Sequence, residues 1–186
     1  MRRIFLLVSV LSIISVAFAC QKEKPAVTGH ASPTEAYKAL FAAVKAKDID
    51  AIKKNISKKT IELGKMSMER FKKSEKEAYE NGFTATTITD TLPSMRDERV
   101  KDNFGALEVW NTQESKWDDV AFVFEDGGWK LGMGDAFSGS YQSPGPGRDF
   151  REKEAANAMA KGPAPQGPTA DSATNSNAAP LASNKK

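Results

Sequence analysis

Carboxylates and tyrosines are the side chains of this 186-residue chain that could perform acid–base chemistry. A single histidine and a single cysteine exclude two-histidine metal motifs, disulfides and multi-cysteine metal sites, so we expect no metal and no cofactor. The candidate bases are Asp119 and Asp135. Asp135 follows Gly132 and Gly134, which permit close approach of another backbone. Asp119 adjoins Asp118, but neighbours on a strand point to opposite faces and form no carboxylate pair. The alternative is that both candidates are structural.

The single cysteine points to a different chemistry, acylation. Two arginines precede an apolar stretch over residues 4–19, which is shorter than the roughly 20 residues that span a bilayer and is typical of a secretory leader. Ala17-Phe18-Ala19-Cys20 then places small residues at −3 and −1 of the expected cut. The segment resembles the lipobox of bacterial lipoproteins, which implies that Cys20 is acylated and becomes the mature N-terminus. The alternative is an ordinary leader peptide that leaves Cys20 as a free thiol.

The resemblance to a lipobox also bears on location and partners. Because Gln21 rather than Asp follows the cysteine, the resemblance implies a lipid-anchored protein of the outer membrane that faces the periplasm. Residues 20–31 are then a polar linker, in which we expect His30 to be exposed and inert. The formal charge of +3 is too small to indicate nucleic acid. The expected partners are the membrane and an envelope protein or cell-wall polymer.

The folded domain is predicted over residues 32–141, with a helical half before a strand-rich half, the order of an α+β fold. The predicted N-caps of three helices are Ser32, Asp48 and Ser57. The third helix is expected to bury Ile61, Met68 and Phe71 and to run towards Tyr79, with a possible break at Gly64, because glycine costs about 1 kcal/mol against alanine in a helix.

The second half of this domain carries strand signals. Residues 83–89, rich in threonine, predict a first strand, whereas residues 95–101 are consistent with either a loop or a strand. Further strands are predicted around Leu107 and over residues 120–124. Gly127-Gly128 then predicts a tight hairpin whose return strand alternates through Trp129, Leu131 and Met133.

Three segments together resemble a known superfamily. They are Ser32-Pro33-Thr34-Glu35-Ala36, Lys45-Ala46-Lys47-Asp48 and the stretch from Glu125 to Leu131. They are similar to the nuclear transport factor 2-like superfamily, and within it to small bacterial lipoproteins of unknown function. The resemblance implies a curved antiparallel sheet wrapped around a long helix, forming a cone with a cavity. Enzymes of this superfamily place an aspartate, a histidine or a Tyr–Asp pair inside the cone, but the fold alone sets no activity.

The C-terminal stretch, residues 142–186, holds six of the nine prolines and one aromatic residue, Phe150. Such a composition predicts a mostly disordered tail, because too little apolar surface is available to offset the entropy of ordering. One exception is a short helix over residues 150–161, capped by Asp149.

Charge is unevenly divided along the domain. Residues 38–76 contain twelve basic and five acidic side chains, whereas residues 77–141 contain five basic and thirteen acidic ones. The helical side should therefore be positive and the sheet side negative. This division describes either an ordinary solvated surface or a basic surface over residues 53–76 that contacts anionic lipid headgroups or cell-wall polymer.

Two functional hypotheses follow. The first is a non-catalytic, membrane-anchored lipoprotein of the bacterial cell envelope that presents a small ligand- or protein-binding domain. The second is a small isomerase- or hydrolase-like enzyme that uses Asp119 or Asp135 inside the cone. Convergent buried polar groups would favour the enzyme, and a filled apolar interior would favour the binding domain.

Overall fold

The computed structural model describes residues 27–160, so the leader with Cys20 and residues 161–186 of the predicted tail lie outside the described residues. The helices are α1 (Pro33–Ala46), α2 (Ile49–Lys54), α3 (Lys58–Phe71), α4 (Glu75–Tyr79), α5 (Met133–Phe137) and α6 (Arg148–Ala160). The strands, which lie between α4 and α5, are β1 (Met95–Lys101), β2 (Phe104–Asn111), β3 (Lys116–Glu125) and β4 (Gly128–Leu131). The α+β class is confirmed.

The three predicted N-caps are confirmed. The side-chain oxygens of Ser32, Asp48 and Ser57 each accept a hydrogen bond from the amide three residues later, at 3.2, 2.9 and 3.0 Å respectively. Each bond satisfies an amide that has no acceptor within its own helix. These local signals therefore fix where α1, α2 and α3 begin.

The four strands form one antiparallel sheet in the order β1-β2-β3-β4. The predicted hairpin between β3 and β4 is confirmed, with Glu125 paired to Gly128 across a two-residue turn. The positive φ angles of this turn belong to Asp126 (51°) and Gly127 (80°), and not to the two glycines as the sequence suggested. The segment over residues 95–101 is a strand, β1, which is interrupted by an irregularity in its pairing between Arg96 and Arg99.

One face of the sheet packs against α1. Leu107 and Val109 of β2 and Phe122 of β3 are almost fully buried there. Tyr37 and Leu40 of α1, Ile52 of α2 and Ile56 of the segment between α2 and α3 add further apolar side chains to this core. The space between the helices and the sheet is thus filled by apolar side chains, which supply the main driving force for folding.

The prediction of a strand over residues 83–89 is wrong. A 3-10 helix (Ala85–Thr87) occupies its centre. The Thr87 hydroxyl donates to the carbonyls of Asn81 (2.7 Å) and Thr84 (2.9 Å), and the Tyr37 hydroxyl donates to Thr86 (2.9 Å). Threonine hydroxyls that bond to nearby backbone groups compete with strand pairing, and here they stabilise a turn.

The third predicted helix is also shorter than expected. It ends at Phe71, because Lys72 adopts a left-handed conformation with φ 55°, and a separate helix, α4, begins at Glu75. Ser74 and Glu77 form a reciprocal capping box at the start of α4. The sequence signal for this new start, a serine followed three residues later by glutamate, was present but not recognised.

Gly64 does not break α3. A Cβ at this position would lie 2.5 Å from Cζ of Tyr79, so only glycine lets the tyrosine ring pass beneath the helix. The Tyr79 hydroxyl donates to the Ile61 carbonyl at 2.8 Å, one turn earlier in α3. The glycine is therefore a packing requirement rather than a weak point.

The return strand ends earlier than predicted. β4 stops at Leu131, and Met133 begins α5 instead of continuing the alternation. Gly134 brings α5 so close to α3 that a Cβ would overlap the Lys59 backbone, and its amide donates to Thr60 Oγ1 at 2.9 Å. The expectation of a close backbone approach at this glycine is confirmed, and α3 is the neighbour.

Residues just before the predicted domain also contact it. The Gly29 amide donates to the Gly127 carbonyl at 3.0 Å, and the Trp129 amide donates to the His30 carbonyl at 3.0 Å. His30 is half-buried, with Nε2 2.6 Å from Asn55 Oδ1, so the expectation that it is exposed was wrong.

None of the helices over residues 27–160 has the length and apolar character required to cross a bilayer.

The role of Gly64 can be tested by Gly64→Ala. Helix propensity alone would make this change stabilising by about 1 kcal/mol, whereas the overlap with Tyr79 should make it destabilising by about 1–3 kcal/mol. Urea unfolding followed by circular dichroism measures the sign, with Ser67→Ala in the same helix as control. A more stable Gly64→Ala protein would contradict the close contact.

Candidate functional site

An apolar groove of about 870 Å³ lies between α3, α4, α5 and the segment over residues 81–88. Its volume falls within the range of pockets that hold small molecules, roughly 300–1,000 Å³. Large apolar side chains that line it remain exposed: Met66 (57%), Phe71 (63%), Ile88 (50%) and Phe137 (76%). So much apolar surface gathered in one concavity marks a binding site more often than ordinary surface.

Helix periodicity positions the walls of this groove. Leu63, Met66 and Arg70 recur at three- and four-residue spacing on α3 and so share one helix face. Met133 and Phe137, four residues apart, form the facing wall on α5. The burial of α3 against Tyr79 and α5, which Gly64 and Gly134 make possible, sets the distance between these walls.

Charged side chains lie at the edge of the groove. The acidic pair is Glu69 and Glu77, and the basic pair is Arg70 and Lys73. The Glu77 carboxylate accepts from the Ser74 hydroxyl (2.7 Å) and amide (2.8 Å), and these hydrogen bonds hold the pKa of Glu77 below its usual value. The Arg70 guanidinium lies 5.5 Å from the centre of the Phe71 ring, at the border between apolar and polar surface.

The opposite face of the sheet carries a second cluster, which is charged. Arg96, Glu108 and Asp119 are neighbours across β1, β2 and β3. Glu108 is only 2% exposed, and Arg96 Nε donates to its carboxylate at 2.6 Å. The same guanidinium stacks 4.1 Å from the centre of the Trp117 ring. A buried carboxylate requires such a partner, because an unpaired charge there would be very costly.

The segment after α5 covers this charged cluster. The Asp149 amide, in the first turn of α6, donates to Glu108 Oε1 at 2.7 Å. The Tyr141 hydroxyl donates to the Gly105 carbonyl at 2.7 Å. The prediction of a disordered tail is therefore wrong for residues 142–160, and the alternative of a short helix is observed. Asp149 does not cap that helix, because Glu108 supplies the acceptor instead.

Asp119 belongs to the charged cluster and pairs with the Arg99 guanidinium. Desolvation raises the pKa of Asp119 above its usual value, although the ion pair with Arg99 opposes that shift. The carboxylate borders a small cleft of about 290 Å³ together with Glu108 and Pro146. Asp119 is thus neutralised by an arginine and lies on the sheet face away from the apolar interior.

Asp135 lies elsewhere, on α5. Its carbonyl accepts the amides of Ser140 and Tyr141, both at 3.1 Å. Its carboxylate atom Oδ1 is 3.4 Å from the Ser140 hydroxyl, and Oδ2 is buried without a hydrogen bond within residues 27–160. Asp135 is not among the residues that line the apolar groove. Within residues 27–160 no hydrogen bond joins the two candidate bases, and the cleft beside Asp119 is not lined by Asp135.

The hydroxyls of all three tyrosines are hydrogen-bonded within the fold. Tyr37, Tyr79 and Tyr141 donate to Thr86, Ile61 and Gly105 respectively. Burial raises the pKa of Tyr37 and of Tyr141 to about 12. Among the described residues, no three histidine, cysteine or acidic side chains are grouped so that they could hold a metal ion.

The sequence reasoning missed the groove and Glu108. It assigned Phe71 to the core, yet this side chain is mostly exposed. The sequence did contain a signal for the groove. Besides the apolar residues Ile61 and Met68, α3 carries Leu63 and Met66 on another face, and a helix that buries only one face does not need this second apolar set. For Glu108 the signal is an acidic residue in the middle of an otherwise apolar strand.

Removing one partner of the buried Arg96–Glu108 pair should destabilise the fold strongly. Glu108→Ala removes the partner of Arg96 and the acceptor at the start of α6, so we expect a loss of about 3 kcal/mol. Glu108→Gln keeps an acceptor and should lose less. Urea unfolding and protease cleavage within α6 are the measurements. The exposed pair of Glu114 with Lys116 gives the control Glu114→Ala, which should cost about 1 kcal/mol or less. Equal losses at Glu108 and Glu114 would refute a structural role of the cluster.

Comparison with known proteins gives no relative from which a role could be transferred. No family model matches the chain, and neither the curated proteins nor the solved structures contain a match. The geometry of the groove and of the charged cluster is therefore the basis for assigning a function.

Proposed function

We propose that this protein is a non-catalytic lipoprotein of the bacterial cell envelope whose α+β domain binds an apolar or amphipathic ligand in the groove between α3, α4 and α5. The observation that carries the proposal is the groove itself. It combines an ordinary ligand-pocket volume with large apolar side chains that no described part of the chain covers. Exposed apolar surface of this kind is removed from water when a ligand binds, which favours binding.

The arrangement of polar groups supports a binding role over catalysis. The space between α1 and the sheet is filled with apolar side chains. The buried carboxylate of Glu108 is paired with Arg96, and the candidate base Asp119 is paired with Arg99. A catalytic base needs access to a substrate in a shared pocket with its acid partner.

The fold is part of the same proposal. Helices that pack on one face of a four-stranded antiparallel sheet are compatible with a cone of the nuclear transport factor 2-like kind. The resemblance of the segments beginning at Ser32, Lys45 and Glu125 to small bacterial lipoproteins supports that assignment. In this proposal the acylated Cys20 holds the domain at the outer membrane, and the residues between it and Thr28 form the tether.

The anchor can be tested on the intact protein. We expect Cys20 to be the mature N-terminal residue and to carry a thioether-linked diacylglycerol, so that the protein sediments with membranes. Mass spectrometry of the purified protein measures the modification. Cys20→Ser should prevent acylation and release the protein from the membrane fraction. An unmodified Cys20 in the wild-type protein would refute the anchor but not the ligand site.

The groove can be tested with Nile red, an uncharged dye that fluoresces in apolar surroundings. The mature-length chain (20–186) with Cys20→Ser should bind it, and Met66→Ala or Phe137→Ala should weaken binding about fivefold by removing apolar contact area. Met159, which is 82% exposed and lies outside the groove, supplies the matched control Met159→Ala. Fluorescence titration distinguishes them. Absence of binding, or equal loss in all three variants, would refute the groove as the site.

The alternative function is a small isomerase- or hydrolase-like enzyme. One observation favours it, namely the raised pKa of Asp119 beside a cleft. If that hypothesis is correct, Asp119→Asn abolishes turnover of a substrate that the wild-type protein converts. The binding proposal instead expects Asp119→Asn to leave Nile red binding unchanged.

A further inference from the structure

We propose that the groove binds a single-chain anionic amphiphile, a molecule with one acyl chain and a carboxylate or phosphate headgroup, with the chain between α3 and α5 and the headgroup at Arg70 and Lys73. The inference rests on the proposed function, because it names the ligand class of the same groove. It specifies how the ligand is oriented in the groove and that its headgroup is negatively charged.

The chemistry of the groove supports such a ligand. Apolar side chains of α3 and α5 form its walls, and the charged side chains sit at its edge. Arg70 lies against Phe71, so a guanidinium meets the end of the apolar wall. Neither Arg70 nor Lys73 forms an ion pair with a carboxylate anywhere in residues 27–160. An apolar body with a cationic end is complementary to an acyl chain with an anionic head.

The sign of the headgroup follows from the surrounding surface. The lining itself carries two acidic and two basic side chains, because the hydrogen bonds from Ser74 keep Glu77 in its charged form and Glu69 has no hydrogen-bonded partner in the described structure. The helical segment to which Arg70 and Lys73 belong, residues 38–76, carries twelve basic and five acidic side chains. The summed potential of such a surface attracts anions and repels cations.

Two other occupants fit less well. A second copy of the chain would bring two of these basic surfaces together, and their mutual repulsion opposes association. The chain's own residues 161–186 contain one large apolar side chain, Leu181, and no aromatic residue. That composition offers too little apolar surface to fill a groove of about 870 Å³.

Displacement of Nile red from the mature-length chain tests the proposal. The competitors are decanoate, dodecanoate and tetradecanoate, together with two twelve-carbon controls, dodecanol and dodecyltrimethylammonium, all below their critical micelle concentrations. Affinity should rise about fourfold for each CH₂ added, the factor expected for burying one such group. Dodecanoate should bind more tightly than dodecanol, and dodecyltrimethylammonium should bind most weakly.

Variants at the edge test the headgroup contact. Arg70→Gln with Lys73→Gln should weaken dodecanoate about fivefold, the factor that one well-placed exposed ion pair supplies, and should leave dodecanol unchanged. Lys65→Gln, an exposed cation on α3 that does not line the groove, is the matched control and should change neither.

The outcomes separate this inference from the proposed function. If Nile red binds in the groove but no amphiphile displaces it, the ligand class is wrong and the groove remains a binding site. Equal affinities for the three twelve-carbon headgroups, or a preference for the cation, would overturn the anionic ligand. If Nile red itself does not bind, the groove as a site fails, and the inference fails with it.

Discussion

The close packing of α3 against its neighbours is the constraint on which the helical half of the domain depends. Two positions without a side chain, Gly64 on α3 and Gly134 on α5, allow the Tyr79 ring and the Lys59 backbone to approach where a Cβ would collide. Across these contacts the Tyr79 hydroxyl donates to the Ile61 carbonyl, and Thr60 Oγ1 accepts from the Gly134 amide. Because both contacts involve α3, they fix its depth and orientation together, and the spacing of the groove walls follows from them.

The charged cluster organises the opposite side of the sheet. Glu108 of β2 joins three elements, because its carboxylate accepts hydrogen bonds from Arg96 of β1 and from the Asp149 amide at the start of α6. A buried ion pair is not in itself a large source of stability, because desolvation offsets much of the Coulomb attraction. Its effect here is specificity, since a misplaced β1 or α6 would leave the carboxylate without a partner.

These two regions differ in what they leave unsatisfied. On the charged side, Arg96 and Arg99 are paired and the tyrosine hydroxyl of Tyr141 is hydrogen-bonded, so little remains for a ligand to satisfy. On the α3 side, Phe71 and Phe137 remain largely exposed to water. A bound molecule gains more free energy where apolar surface is still hydrated than where charges are already neutralised. This difference is the physical reason for proposing the groove as a ligand site.

What the sequence determined by itself was local. Side-chain caps such as Ser32 and the hairpin turn at Gly127 depend on neighbours within a few residues, so their positions were predicted correctly and with them the α+β class. Tertiary structure decided the rest. The threonines near residue 86 form a turn that is held both by the local hydrogen bonds of Thr87 and by the hydroxyl of Tyr37, which is far away in the chain. Gly64 was ambiguous until Tyr79 lay beneath it, and Asp149 lost its expected capping role to Glu108. The groove could not be predicted from any single segment, because its walls come from helices more than fifty residues apart in the chain, and only packing brings them face to face.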